Sequence, residues 1–427
     1  METKREQYQK VMRAIFYALL CALLWLLPCK MYISPCVALL ILVWALYPGN
    51  LIDDPDRFAR WKRLKERRLW IPMALLVGYY LLYLVSMAYT DNLAAGMFTL
   101  EKKLLFLFAP LLLLTMPDEL VSRRHFNGLL TAFIVGCCVT IAASLAYAFV
   151  CYNHTGDSAY FYYQSVSPFQ HPSYLAMYLI FSLAAALYLV GCQAEETSRA
   201  GQILLALYAI PTIVYICLLQ SKSGFLSMIL LLAFFLIYSI CIRNKKLIIS
   251  VMYIAALSAA SFWLIPNAGS RIETSAAELA AGAESNVADA GTSSMRLLIW
   301  KEALNITKEH PLFGVGAGDT QDCLNQRYET AGMTKALHKE LNAHSQVMQT
   351  AVAIGLVGLL VLAAIFVYPI VACRRSQLMP LWLFFILLVG LNILVESMWE
   401  TIAGVSFFTL FYCLLTRYGN GEMRDER

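Results

Sequence analysis

Apolar residues in this chain come in blocks, most of them 17 to 25 residues long, separated by short polar stretches. A helical run of that length crosses about 30 Å of hydrocarbon, and inside a bilayer only a helix satisfies its own backbone polar groups. The pattern predicts spans at roughly 11–29, 32–48, 70–90, 103–116, 128–150, 173–192, 202–219, 225–242, 247–265, 344–372, 380–395 and 403–416. The fourth is short, and Pro110 is expected to kink it. Residues 266–343 break the rhythm, being polar and long enough to fold by themselves. The expected fold is therefore an all-α polytopic membrane protein. It has about 12 transmembrane helices and one large, mainly helical loop between spans nine and ten. The chain divides into 1–265 (nine spans), 266–343 (the loop) and 344–427 (three spans and a tail).

Composition agrees. The 427 residues are 60% hydrophobic and 14% charged, too little charge for a soluble surface of this size. The first run, from Val11 to Cys29, has no small-residue cleavage site after it and reads as a retained span. Among the 12 cysteines, Cys137, Cys138, Cys217 and Cys241 lie in or at the ends of apolar runs, where cysteine acts as a small hydrophobe. No CxxC pair signals a zinc or redox site.

Positive charge orients the bundle. One set of alternate segments, which includes both termini and "RFARWKRLKERR", holds 22 of the 33 Lys and Arg; the other holds 11. Both termini are expected in the cytoplasm and the long loop outside. This asymmetry accounts for the net charge of +5 without a nucleic-acid partner. The acidic pair Asp54 and Asp56 mimics a metal-binding DxD, but the basic run beside it reads as the cytoplasmic determinant. An outward site has no nucleotide within reach, so its substrate must arrive already activated in or along the membrane.

The outward residues have a bland and a chemical reading each. Lys222, in "LLQSKSGFL", is either a snorkelling lysine or a cation aimed at a phosphate, helped by Gly224 and the helix N-terminus that follows. Arg271 lies in "PNAGSRIE". Arg296 falls in the first turn of a helix capped by Ser293 or Ser294, with Leu298, Ile299, Ala303 and Ile306 as its apolar stripe. A cation there opposes the helix dipole, a modest cost that hints at a use. Gly314, Gly316 and Gly318 form a turn able to present N–H groups to an anion, but no strand precedes it as a nucleotide fold requires. His338 and His344 are six apart, which is not metal-ligand spacing; His344 is a structural histidine or a proton acceptor. The aromatic loop 151–173 anchors at the interface or stacks on sugars, and Glu396 and Glu400 pair with or position the arginines.

Taken together, "LEKKLLFLFAP", "SKSG", "MRLLIW", "HPLFGVGAGD", "NAHSQVMQTAVAIGLVGLL" and "ESMWETIAGVSFF" resemble, in that order, the O-antigen ligase and polymerase superfamily of integral membrane glycosyltransferases. The resemblance implies a bacterial inner-membrane enzyme with a periplasmic loop and no cofactor. It implies transfer of a glycan from undecaprenyl pyrophosphate to lipid A-core, without metal and with inversion. Lys222 then stands where the family has arginine, and with Arg271 and Arg296 it would hold the donor pyrophosphate. His344 and Arg296 would be catalytic, supported by His338, Asn342, Glu396 and Glu400. Ser345 replaces the asparagine that commonly follows the histidine. A polysaccharide polymerase or a protein O-oligosaccharyltransferase needs the same parts. A lipid-linked-oligosaccharide flippase is the alternative of another class; the absence of an internal repeat and the single large outer segment count against it. Nothing in the sequence fixes an oligomeric state.

Overall fold

The structure is a computed structural model, and it describes residues 2–47, 59–192, 199–265, 269, 292–372 and 376–419. These are helical, with no β-strand among them. Asp54, Asp56 and Arg271 lie outside the described residues. Eight helices are long and apolar enough to cross a membrane: Lys4–Cys29, Arg123–Thr155, Pro172–Gly191, Arg199–Leu218, Lys222–Cys241, Lys245–Leu264, Gln346–Ala372 and Ile402–Gly419. Three shorter apolar helices, Ile33–Leu46, Trp70–Ser86 and Met379–Val395, join them. The chain is an all-α polytopic membrane protein.

Burial sorts the helices. Ile402–Gly419 and Pro172–Leu187 are apolar all round and almost wholly enclosed, as a central helix must be. Phe133, Phe181, Phe407 and Phe411 interlock there, with ring centroids 4.7 to 6.3 Å apart. Lys245–Leu264 sits at the edge and leaves Ile249, Met252, Trp263 and Leu264 exposed, the face that lipid covers.

Two expected spans differ. The fourth begins a decade earlier, because Asn92 caps a helix by accepting from the Ala95 N–H at 3.1 Å. Helix Leu93–Lys103 is followed by Leu105–Leu114, and the interruption falls at Leu104; Pro110 sits inside the second helix.

The tenth span is broken. Ile354 and Gly355 leave helical geometry, with Gly355 at φ 63°. In a straight helix Gln346 and Phe366 would be about 30 Å apart. Here both reach one residue. Gln346 Oε1 accepts from the Trp399 N–H at 2.8 Å, and the Phe366 ring stacks on the Trp399 indole with centroids 6.4 Å apart. The first turns, from Gln346 to Ala353, therefore swing away from the axis of the rest.

The glycine-rich turn explains the break. Val315 and Gly316 donate to the carbonyls of Val352 and Ala353 at 2.9 Å each, while Leu356 donates to Pro311 O at 2.9 Å. The loop so takes over backbone groups that the interrupted helix leaves open. Gly316, at φ 101°, lies where a Cβ would meet Thr90 Oγ1 at 2.2 Å. The expectation that these N–H groups face an anion is corrected: Ala317 and Gly318 donate to Ser86 Oγ and Thr90 Oγ1, at 3.0 and 3.3 Å. The turn is a clamp. Asp319 extends it by accepting from the Asp91 and Asn92 N–H groups at 2.9 and 2.8 Å.

Between the ninth and tenth spans, Thr292–Glu309, Thr320–Thr330 and Thr334–His338 enclose a small second core. Met295, Ile299, Ala303 and Ile306 pack there against Leu324, Tyr328, Met333 and Ala336. Val352 belongs to the same cluster, so this core closes directly on the broken helix.

Candidate functional site

Where the second core meets the bundle there is a cavity of about 380 Å³. Each basic side chain reaches it for a local reason. Ser221 caps Lys222–Cys241 by accepting from the Gly224 N–H at 3.1 Å, which puts Lys222 at the first helical position. A Cβ on Gly224 would meet Ala176 Cβ at 2.8 Å, so glycine lets this turn lie close against the central helix. In the helix Thr292–Glu309, Met295 and Ile299 bury their side chains, and Arg296 between them lines the cavity.

His344 is held in the left-handed region, at φ 47°. That conformation costs a histidine of order 1 kcal/mol, and a set of bonds imposes it. Asn342 Oδ1 accepts from the His344 N–H at 2.9 Å, and Gln349 Oε1 from the Ala343 N–H at 3.0 Å. Trp300 Nε1–H donates to Ala343 O at 3.0 Å, which ties the arginine-bearing helix to the histidine loop. Buried Ser345 donates its N–H to Ser397 Oγ at 3.1 Å.

Glu396 joins the two. Arg296 Nη2 donates to its Oε1 at 2.9 Å, and His344 Nδ1 stands 3.8 Å from its Oε2. Nδ1 is buried and makes no direct hydrogen bond among the described residues. Burial pushes the Glu396 carboxyl up, but the neighbouring His344 and Arg296 outweigh this and hold it below the usual carboxylate range. The carboxylate is thus charged in the working range of pH, between an imidazole and a guanidinium.

Of the residues singled out in the sequence, Lys222, Arg296, His344 and Glu396 line one cavity. Asn342 acts one step back, on the His344 backbone. His338 is exposed and does not line the cavity, and Arg271 is outside the described residues. Glu400 faces elsewhere: its Oε1 accepts from buried Lys103 Nζ at 2.7 Å, and among the described residues Glu400 pairs with no arginine. Sequence reading missed Lys335 and Lys339 on the cavity wall, and took in Tyr163 and His171, also on that wall, only as part of the aromatic loop 151–173. The two lysines had a signal, the i, i+4 spacing in "KALHK". His171 had a weaker one, as the cap of Pro172–Leu187, with its Nδ1 accepting from the Ser173 N–H at 3.3 Å. Among the described residues no three His, Cys, Asp or Glu side chains gather as around a metal ion.

Residues 204–363 match the family model described as O-antigen ligase. The matched stretch runs from Arg199–Leu218 into the broken helix and holds Lys222, Arg296 and His344 together. Over these residues the chain is similar to the O-antigen ligase superfamily. Members of this family are glycosyltransferase-like membrane enzymes that handle lipid-linked glycans. In this chain Glu396, Tyr163 and His171 complete the cavity from outside the matched residues. No curated protein matches the chain.

Proposed function

We propose that the chain moves a glycan from undecaprenyl pyrophosphate to lipid A-core on the periplasmic face of a bacterial inner membrane. One observation carries this reading: Glu396 stands between His344 and Arg296 in a cavity that Lys222 also lines. Both termini lie in the cytoplasm and residues 266–343 in the periplasm, the orientation favoured by the distribution of Lys and Arg.

Lys222 and Arg296, with Arg271, take the donor pyrophosphate and stabilise the charge that grows on it as the glycosidic C–O bond breaks. Lysine in place of arginine at 222 keeps the charge but not a two-point grip on phosphate. The acceptor hydroxyl attacks the anomeric carbon from the opposite side, and its proton passes to His344. With Nδ1 turned to the Glu396 carboxylate, Nε2 is the nitrogen left to accept it. His344 then works as a general base, a role worth about 10² to 10⁴ in rate. Displacement in one step inverts the anomeric centre and calls for no metal.

The test is transfer by purified protein in nanodiscs, without nucleotide and with chelator present. The donor is offered with lipid A-core or with a second lipid-linked repeat. Glycan on lipid A-core, inverted and reduced at least a hundredfold in His344→Ala, is expected. Retained configuration, or full activity of His344→Ala at normal protein level, overturns the mechanism. Lengthened polyprenyl-linked chains would make the protein a polymerase.

A further inference from the structure

His344 and Glu396 come from distant parts of the chain, and the residues that follow each of them are bonded to one another. Ser345 N–H donates to Ser397 Oγ at 3.1 Å, and Ser345 Oγ to Ile393 O at 3.4 Å. Gln346 N–H donates to Glu396 O at 3.1 Å, and Gln346 Oε1 accepts from the Trp399 N–H at 2.8 Å. Each segment thus lends the other a side-chain oxygen, within two or three residues of the pair that faces the cavity.

These bridges are sealed where the pair is not. The side chains of His344 and Glu396 keep 25% and 16% of their surface exposed, whereas Gln346 and Ser397 are buried and do not line the cavity. Gln346 is anchored on its far side as well: its Nε2 donates to Thr350 Oγ1 at 3.3 Å and to Glu400 Oε1 at 3.4 Å. Thr350 Oγ1 lies 2.9 Å from the Tyr79 hydroxyl, and Glu400 is itself fixed by Lys103. A buried amide engaged at both ends has one orientation. It holds the backbone of Glu396 at a set distance from a histidine that sits, at φ 47°, in a conformation it would not keep alone.

We infer that Gln346 and Ser397 are positioning residues, which set the spacing between the His344 imidazole and the Glu396 carboxylate and touch no substrate themselves. This rests on the transferase reading above and adds to it the parts that hold the base in line. The Lys103–Glu400 pair is then the fixed point from which Gln346 measures. A base displaced by about 1 Å loses up to a hundredfold in rate while the site still binds what it bound before.

The experiment uses the full chain in phosphatidylcholine nanodiscs, with lipid-linked donor and lipid A-core. Gln346→Met keeps the length of the side chain and drops its three bonds; Ser397→Ala drops one. In Gln346→Met, kcat should fall about tenfold to a hundredfold, and in Ser397→Ala by less, with the KM of donor and acceptor unchanged. Should Gln346→Met fail to fold, Ser397→Ala carries the same test. Added to Glu396→Gln, Gln346→Met should cost less than about threefold more, because the carboxylate it spaces is gone. An unchanged kcat overturns the inference, and so does a raised KM at constant kcat. The full loss repeated in the Glu396→Gln background would mean general damage and overturn it too. Spectra of protein labelled with ¹⁵N-histidine separate this idea from the one it rests on. The His344 ring signal, identified by its absence in His344→Ala, should move in Gln346→Met with no substrate present. Such a shift in a protein that transfers to no acceptor keeps the positioning and removes the transferase. A ring signal that stays in place removes the positioning even where transfer is robust.

Discussion

Glu396 and Glu400 are four residues apart on one short link between two helices, and they live in different worlds. Glu400 is sealed with Lys103, whose side chain has no exposure at all, and Lys103 Nζ also donates to Trp399 O at 3.0 Å. The ammonium lies 4.6 Å from the Tyr83 ring centroid. Glu396 opens on a cavity and shares its two oxygens between an arginine and a histidine. A sealed pair cannot exchange partners without exposing a bare charge to a low-dielectric interior, so it fixes structure. A pair at a cavity wall can, so it is suited to chemistry. Gln346 connects them, donating its N–H to Glu396 O at 3.1 Å while its Oε1 accepts from the Trp399 N–H.

The contrast is broken most forcefully at Lys103. Lys103→Met leaves Glu400 buried without its cation and should cost about 3–5 kcal/mol of stability. A lower unfolding temperature and loss of monodisperse protein in detergent would register it. Adding Glu400→Gln should restore more than half of the loss, because the buried charge is then gone. A Lys103→Met protein as stable as the parent would mean that the sealed pair is no anchor.

Glu396→Gln is expected to act the other way. Arg296 stays in contact with water, so stability should change by less than about 1 kcal/mol. Glycan transfer should fall about tenfold to a hundredfold, as a charge-assisted contact to the base and its neighbour is lost. Equal losses of stability in Glu396→Gln and Lys103→Met would erase the distinction.

The smallest effect is in pH. Because the folded protein holds the Glu396 carboxyl below its ordinary range, its contribution to stability is complete above that range. It disappears as pH falls through the lowered value. The small gap in unfolding temperature between the parent and Glu396→Gln should be level from about pH 8 to about pH 5 and close only below about pH 4. A gap that closes near neutrality would mean that the carboxyl is raised.

Much of this was legible in the chain. The apolar runs predict the bundle because a bilayer imposes one length and one hydrogen-bonding solution on each span. Lys222, Arg296, His344 and Glu396 stood out because charge beside an apolar run is costly enough to need a reason. Lys335 and Lys339 lie in an ordinary polar segment, where two lysines ask for no explanation until Met333 and Ala336 are seen to be buried behind them. Glu400 read as a twin of Glu396, since nothing local tells which carboxylate will meet Lys103, 297 positions away in the chain. The bend at Gly355 was hidden for the same reason. It depends on a backbone pairing with residues 311–316, and a run such as "AVAIGLVGLL" carries no mark of it.

That bend also settles a question of length. As one straight rod the 27 residues from Gln346 to Ala372 would measure about 40 Å, well beyond the hydrocarbon thickness of about 30 Å. From Gly355 onward the remaining residues span about 27 Å, a near match to the bilayer by themselves. The turns before the bend are therefore surplus to the crossing. Apolar sequence that would otherwise tilt the helix or strain the lipid is released to build the floor on which the histidine rests.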